Sequence, residues 1–130
     1  MEILHPPGWP RARGYSNGVA ARGRIVSVSG MIGWDAQGQF QTDDFVGQAR
    51  QALENIVAVL REASAGPEHI VRMTWYVVDK REYLAASAAL GAAYRDVIGR
   101  HYPAMSAVQV AGLMEDRARV EIEATAVVPD

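Results

Sequence analysis

The chain contains no cysteine. That absence removes disulfide frameworks, thiolate nucleophiles and every zinc or iron–sulfur centre built on Cys ligands. Histidine is scarce as well: His5, His69 and His101 never fall at the spacing of a metal-ligating pair, so no metal site is expected. Long hydrophobic runs are missing. The longest small-apolar stretch, Leu84 to Tyr94, is broken by Ser87 and is far below the ~18 residues that span a bilayer, so no membrane association is expected. The opening Met1-Glu2-Ile3-Leu4-His5-Pro6-Pro7 lacks the basic and apolar regions of a secretory signal, so a cytoplasmic location is expected. Neither sign of charge dominates: 13 basic against 15 acidic residues give a net charge of −2 and a pI of about 5.9. With no basic excess to neutralise phosphates, nucleic acid is disfavoured as a partner.

What is present is an ordinary globular composition, 49% apolar and 22% charged over 130 residues. Against the ~150-residue prior this predicts one domain over residues 1–130, with 1–13 an extended lead-in rich in proline. Tyr15 to Ala21 and Arg24 to Gly30 are short β-compatible runs around Ala21-Arg22-Gly23, which predicts a hairpin. Asp43 is the predicted N-cap of a helix whose Phe45, Ala49, Leu53, Ile56, Val57 and Leu60 share one face, and Gly66-Pro67 stops it. Ile70 to Val78 reads as a strand apolar on both faces. Asp79 and Glu82 suggest a capping box for a second helix with the stripe Tyr83, Ser87, Leu90, Tyr94, Val97 and Ile98. Two strands, Ala104 to Ala111 and Ala118 to Val128, complete the order ββαβαββ, an α+β fold with two helices on one face of a sheet. An apolar second face would then call for self-association.

Few residue patterns carry chemistry by themselves. Gly30-x-x-Gly33-x-x-x-x-Gly38 has neither dinucleotide nor P-loop spacing, and Asp35 would repel a phosphate. Ser27, Ser29 and Ser106 lack a nucleophile elbow. Arg11, Arg13, Arg22 and Arg24 either guide an anion, touch RNA or are solvated loop charge; no aromatic stacking platform is interleaved with them, so the last is preferred. Glu121 and Glu123 project from the same side of the last strand, about 7 Å apart, with Arg119 one step earlier. They fit either a solvated polar face or, where a neighbouring subunit closes over them, a catalytic carboxylate.

Six blocks in register resemble one family. Tyr15-Ser16-Asn17-Gly18-Val19, Ser29-Gly30, Gln48-Ala49-Arg50-Gln51 with Leu53-Glu54-Asn55-Ile56, Tyr76-Val77-Val78-Asp79, Tyr102-Pro103-Ala104 and Val120-Glu121-Ile122-Glu123-Ala124 are similar to segments of the reactive intermediate deaminase (RidA/YjgF) family, in order and spacing. The resemblance implies a chorismate-mutase-like fold, a homotrimer with clefts between subunits, and cofactor-independent hydrolysis of enamines and imines to ammonia and a keto acid. It would place Tyr15, Ser29, Gly30 and Glu121 in the cleft, with Glu121 positioning water.

One departure bears on substrate. Active family members carry an Arg directly after Pro-Ala to hold the substrate carboxylate, and here Met105 stands there. A thioether offers an anion neither charge nor a useful hydrogen bond. Ser87 occupies a family Asn position, Ala107 a small polar or Cys position, and Met31-Ile32-Gly33-Trp34 displaces the usual Ile-Pro, bringing Trp34 towards the cleft. Weak turnover of small imino acids is therefore expected. The resemblance implies a deaminase-like hydrolase with altered recognition; the alternatives are a noncatalytic trimer that binds a small ligand and, less favoured, an endoribonuclease or translation inhibitor.

Overall fold

The computed structural model describes residues 1–130. Its main sheet has four strands in the order β3-β6-β4-β5: β3 (Arg24–Met31), β6 (Val120–Val128), β4 (Ile70–Val77) and β5 (Ala104–Gln109). β6 runs antiparallel to both β3 and β4, and β4 and β5 are parallel neighbours, as a helical crossover requires. This is the expected α+β architecture.

Helix α1 (Phe45–Glu62) forms the core. Phe45, Ala49, Ala52, Leu53, Ile56 and Leu60 are buried on one face, against Val120, Ile122, Ala124 and Ala126 of β6. Its N-cap is Asp44, whose carboxylate accepts from the Gly47 N–H at 2.8 Å, one residue later than predicted. Asp43 instead turns outward to the Arg117 guanidinium at 2.9 Å. The buried Gln48 ties the helix to the chain entering β6: its amide donates to the Thr42 and Arg117 carbonyls and its oxygen accepts from the Arg119 N–H.

The predicted second helix is two helices, α2 (Lys80–Ala85) and α3 (Ser87–Val97), broken at Ala86. The expected capping box does not form. Asp79 caps Arg81 while Glu82 is drawn away to Arg119 at 2.8 Å. This ion pair raises the Arg119 pKa further and removes Arg119 from the face that Glu121 and Glu123 share.

Strand β4 corrects a second expectation. A register irregularity between Ile70 and Arg72 changes the alternation, so Ile70 joins Met73, Trp75 and Val77 in the core. The opposite face presents Arg72, Thr74 and Tyr76, and is polar where an apolar one was expected.

The N-terminal segment departs most. β2 (Gly18–Ala20) does not form a hairpin with β3; it pairs antiparallel with β1 (Glu2–Leu4), a strand inside the predicted lead-in. Ser16 makes a parallel bridge to Ala104, its N–H donating to the Pro103 carbonyl at 3.0 Å and its hydroxyl to the Tyr102 carbonyl. These bonds hold the arm against β5, at the opposite edge of the sheet from β3. The chain then passes to β3 along the end of the sheet where β4 and β5 begin. Gly23, at φ 148°, allows this passage: a Cβ there would overlap the Val128 carbonyl.

Candidate active site

A cleft of about 1100 Å³ lies between α2, α3 and β5 and is roofed by the N-terminal arm. Its floor follows from the β4–β5 register. Met105 stands opposite Met73 and Ala107 opposite Trp75, so both point to the helix-covered face. Tyr83 from α2 meets the Trp75 ring edge-on at 6.5 Å between centroids. Tyr94 and Tyr102 stack at 5.5 Å, and the Tyr94 hydroxyl donates to the His101 carbonyl at 2.6 Å. Burial pushes the Tyr94 pKa upward, so this phenol stays neutral and acts as a donor. The Trp75 indole N–H is buried without an acceptor, an exception to the usual pairing of buried donors.

Helix periodicity selects what α3 contributes. Ser87, Gly91 and Arg95 are spaced by four and all line the cleft. Arg95 folds across Gly91, where an added Cβ would lie 3.3 Å from its Nη1. Arg100, following α3, and Arg11 and Arg13 from the arm also line the cleft. Arg11 and Arg13 are exposed, as solvated loop charge would be, and they also border the cleft. No aspartate or glutamate lines the cleft.

Glu121 sits elsewhere. It pairs with Tyr76 on the sheet face opposite the helices, so it and Met105 are on different faces. Its carboxylate lies against Gly30: a Cβ at that position would overlap Glu121 Oε2. Glu121 has no hydrogen-bond or ion-pair partner, whereas Glu123 accepts from the Tyr76 hydroxyl at 2.7 Å. That bond, followed by burial, raises the Tyr76 pKa.

The chain therefore brings the predicted site residues together in two groups. Tyr15, Ser87, Met105 and Ala107 line the cleft. Gly30 and Glu121 meet on the other face, with Ser29 next to Gly30 in the same strand. Trp34 belongs to neither group: it is 37% exposed in the loop after β3, bridged to Phe40 and held by Asn55, whose amide donates to its carbonyl at 2.8 Å. Asp35 organises that loop by accepting from the Gln37 and Gln39 N–H groups and the Gln41 side chain. Arg95 and Arg100 were missed as site residues, although the i, i+4, i+8 spacing of Ser87, Gly91 and Arg95 pointed to the first. No cluster of three or more His, Asp or Glu side chains suited to a metal ion is present. No helix is long and apolar enough to cross a membrane.

Known proteins share this arrangement of elements. The profile of the family described as Endoribonuclease L-PSP matches residues 9–128. A 2-iminobutanoate/2-iminopropanoate deaminase of Salmonella typhimurium is 37% identical over 108 residues, covering 81% of this chain and 80% of that protein. Among solved structures, the Rid-family protein YyfB of Yersinia pestis, of unknown function, superposes with a TM-score of 0.87 at 30% identity, covering 98% of each chain. TdcF of E. coli with bound serine gives a TM-score of 0.69 at 34% identity, covering 98% of this chain and 99% of that one. Profile, relatives and structures agree with the six sequence blocks, and the chain belongs to the endoribonuclease L-PSP family, the RidA/YjgF proteins.

Proposed function

We propose that the protein is a deaminase-like hydrolase of imines or enamines, with Glu121 orienting and deprotonating the attacking water in a site that a neighbouring copy completes. The observation that carries this reading is the contrast between the two carboxylates. Glu121 is unpartnered and rests on the bare backbone of Gly30, whereas Glu123 is engaged by Tyr76. An unpartnered carboxylate beside accessible backbone can take a proton from water and return it to a nitrogen. Water adds to the imine carbon, the nitrogen gains a proton, and the carbinolamine collapses to a carbonyl compound and ammonia. The chemistry needs no redox change.

The division of the site favours assembly. Glu121 and the cleft lie on opposite faces of one chain's sheet, so within a single chain they do not share a cavity. A homotrimer that sets the cleft of one copy against the Glu121 face of the next would unite them. A second reading, a noncatalytic trimer that binds a small ligand, is favoured by Met105, which offers no anion contact at the floor.

Ammonia release from freshly generated imines, carboxylated and neutral, tests the choice. The hydrolase reading expects release from at least one class, abolished by Glu121→Gln. Absence of release across the panel, with ligand binding retained, would leave the binding reading.

A further inference from the structure

We infer that the cleft beneath the N-terminal arm takes an amphiphilic carboxylate, with an aromatic or long apolar body, whose anion is held at the rim by arginines rather than on the floor. This names the substrate class of the site proposed above and rests on that reading.

The charge arrangement is the starting point. Arg11, Arg13, Arg95 and Arg100 line one cavity that no carboxylate lines. None of the four has an ion-pair partner, whereas Arg50, Arg117 and Arg119 are each paired with an acidic side chain. Four uncompensated guanidinium groups around one cavity repel one another, and an anion among them relieves that repulsion. Guanidinium is also the side chain best shaped for two-point contact with a carboxylate.

The floor points to the rest of the ligand. Trp75, Tyr83, Leu90, Tyr94 and Met105 supply aromatic and apolar surface, and the floor carries no charge. A cavity of about 1100 Å³ slightly exceeds the range that holds drug-sized molecules, so a three- or four-carbon imino acid would leave most of it filled with water. The arrangement therefore suits an acid whose apolar body covers the floor while its charge reaches the rim. Because the rim arginines come from both α3 and its following turn and from the arm, the bound anion would tie the roof to the helix.

Titration with 4-phenylbutyrate, its uncharged amide and acetate, followed by calorimetry and by tryptophan fluorescence, tests the inference with no imine or enamine present. The acid should bind at least about tenfold more tightly than the amide, and acetate should compete poorly. Each exposed guanidinium contributes little alone, about two- to fivefold. The double variant Arg95→Gln/Arg100→Gln should therefore lose most of the preference for the acid while its affinity for the amide is unchanged. Arg13→Gln, on the arm, should produce a smaller loss and gives a second reading should the double variant fold poorly. Equal binding of acid and amide, or an acid preference intact in the variants, would overturn the inference. Displacement of the acid by lower concentrations of a single-stranded RNA oligomer would also overturn it by assigning the arginines to a phosphate chain. Ammonia release and acid binding fail independently: loss of release with acid preference intact counts against the hydrolase alone.

Discussion

The Tyr76 hydroxyl donates to Glu123 Oε1 at 2.7 Å, while Glu121, two residues earlier on the same face of β6, has no donor. One phenol thus separates two carboxylates that alternation alone makes equivalent. Glu121→Gln should lower ammonia release by about 10²- to 10⁴-fold, the usual range for a lost general base. Glu123→Gln, which keeps an acceptor for Tyr76, should leave the rate within a few-fold. Steady-state kinetics with both variants decides the assignment, and the opposite ranking would reverse it.

Met105 packs against the core from the edge strand beside the cleft. Met105→Arg should increase kcat/KM for 2-iminopropionate by roughly ten- to a hundredfold, the equivalent of about 1.5 to 3 kcal/mol for a charge-assisted contact. The gain should be confined to short imino acids. An unchanged rate in a folded variant would mean that position 105 does not face the reacting carboxylate.

Gln48 makes three hydrogen bonds from a fully buried position, two to carbonyls and one from the Arg119 N–H. Gln48→Leu conserves much of the bulk and leaves those backbone groups unpaired. The expected loss of stability is about 2 to 4 kcal/mol, measured by urea denaturation. A loss below about 0.5 kcal/mol would show that water replaces the amide without cost.

Asp35 is held below its ordinary carboxylate pKa of 3.8, chiefly by the Gln39 N–H. The folded chain binds this proton more weakly than the unfolded chain. The contribution is therefore present above pH 3.8 and fades as pH falls through the lowered value. Asp35→Asn should reduce the melting temperature at pH 7, and the difference from wild type should shrink towards pH 3. A difference that stays constant with pH would mean that geometry, rather than charge, is what the substitution removes.

Light scattering during gel filtration should give a mass near three times 14.1 kDa. A stable folded monomer at micromolar concentration would refute the shared site.

The helix and strand pattern was legible because burial acts locally. The spacing of Phe45, Ala49, Leu53, Ile56 and Leu60 identifies the inner face of α1, and the alternation of Val120, Ile122, Ala124 and Ala126 identifies that of β6. The irregularity after Ile70 was not legible, because the run from Ile70 to Val78 is rich in apolar residues and does not reveal a change of phase. Nor was the path of the arm. Tyr15 to Ala21 has the composition of a strand, but which edge it joins depends on Ser16 meeting carbonyls 86 and 87 residues away. Among the site residues, Glu121 and Met105 came from matching blocks. Arg100 lay in a turn whose orientation no periodicity dictates.

The contact between Ser16 and the start of β5 also has a bearing on the order of folding. Joining residues 86 apart closes a long loop, at an entropic cost of about 4 kcal/mol for a flexible chain; the β3–β6 pairs, such as Arg24 with Val128, close longer ones but recover the cost along a whole strand. Little of that cost is recovered locally, since β1 and β2 contribute three residues each and their partner strands are short. The arm should therefore dock after the four-stranded sheet has formed and detach before it melts. Backbone amides of residues 16–20 should exchange with solvent far sooner than those of β6. The roof of the cleft is then its last part to assemble, and its opening is a natural route for a ligand to enter without disturbing the core.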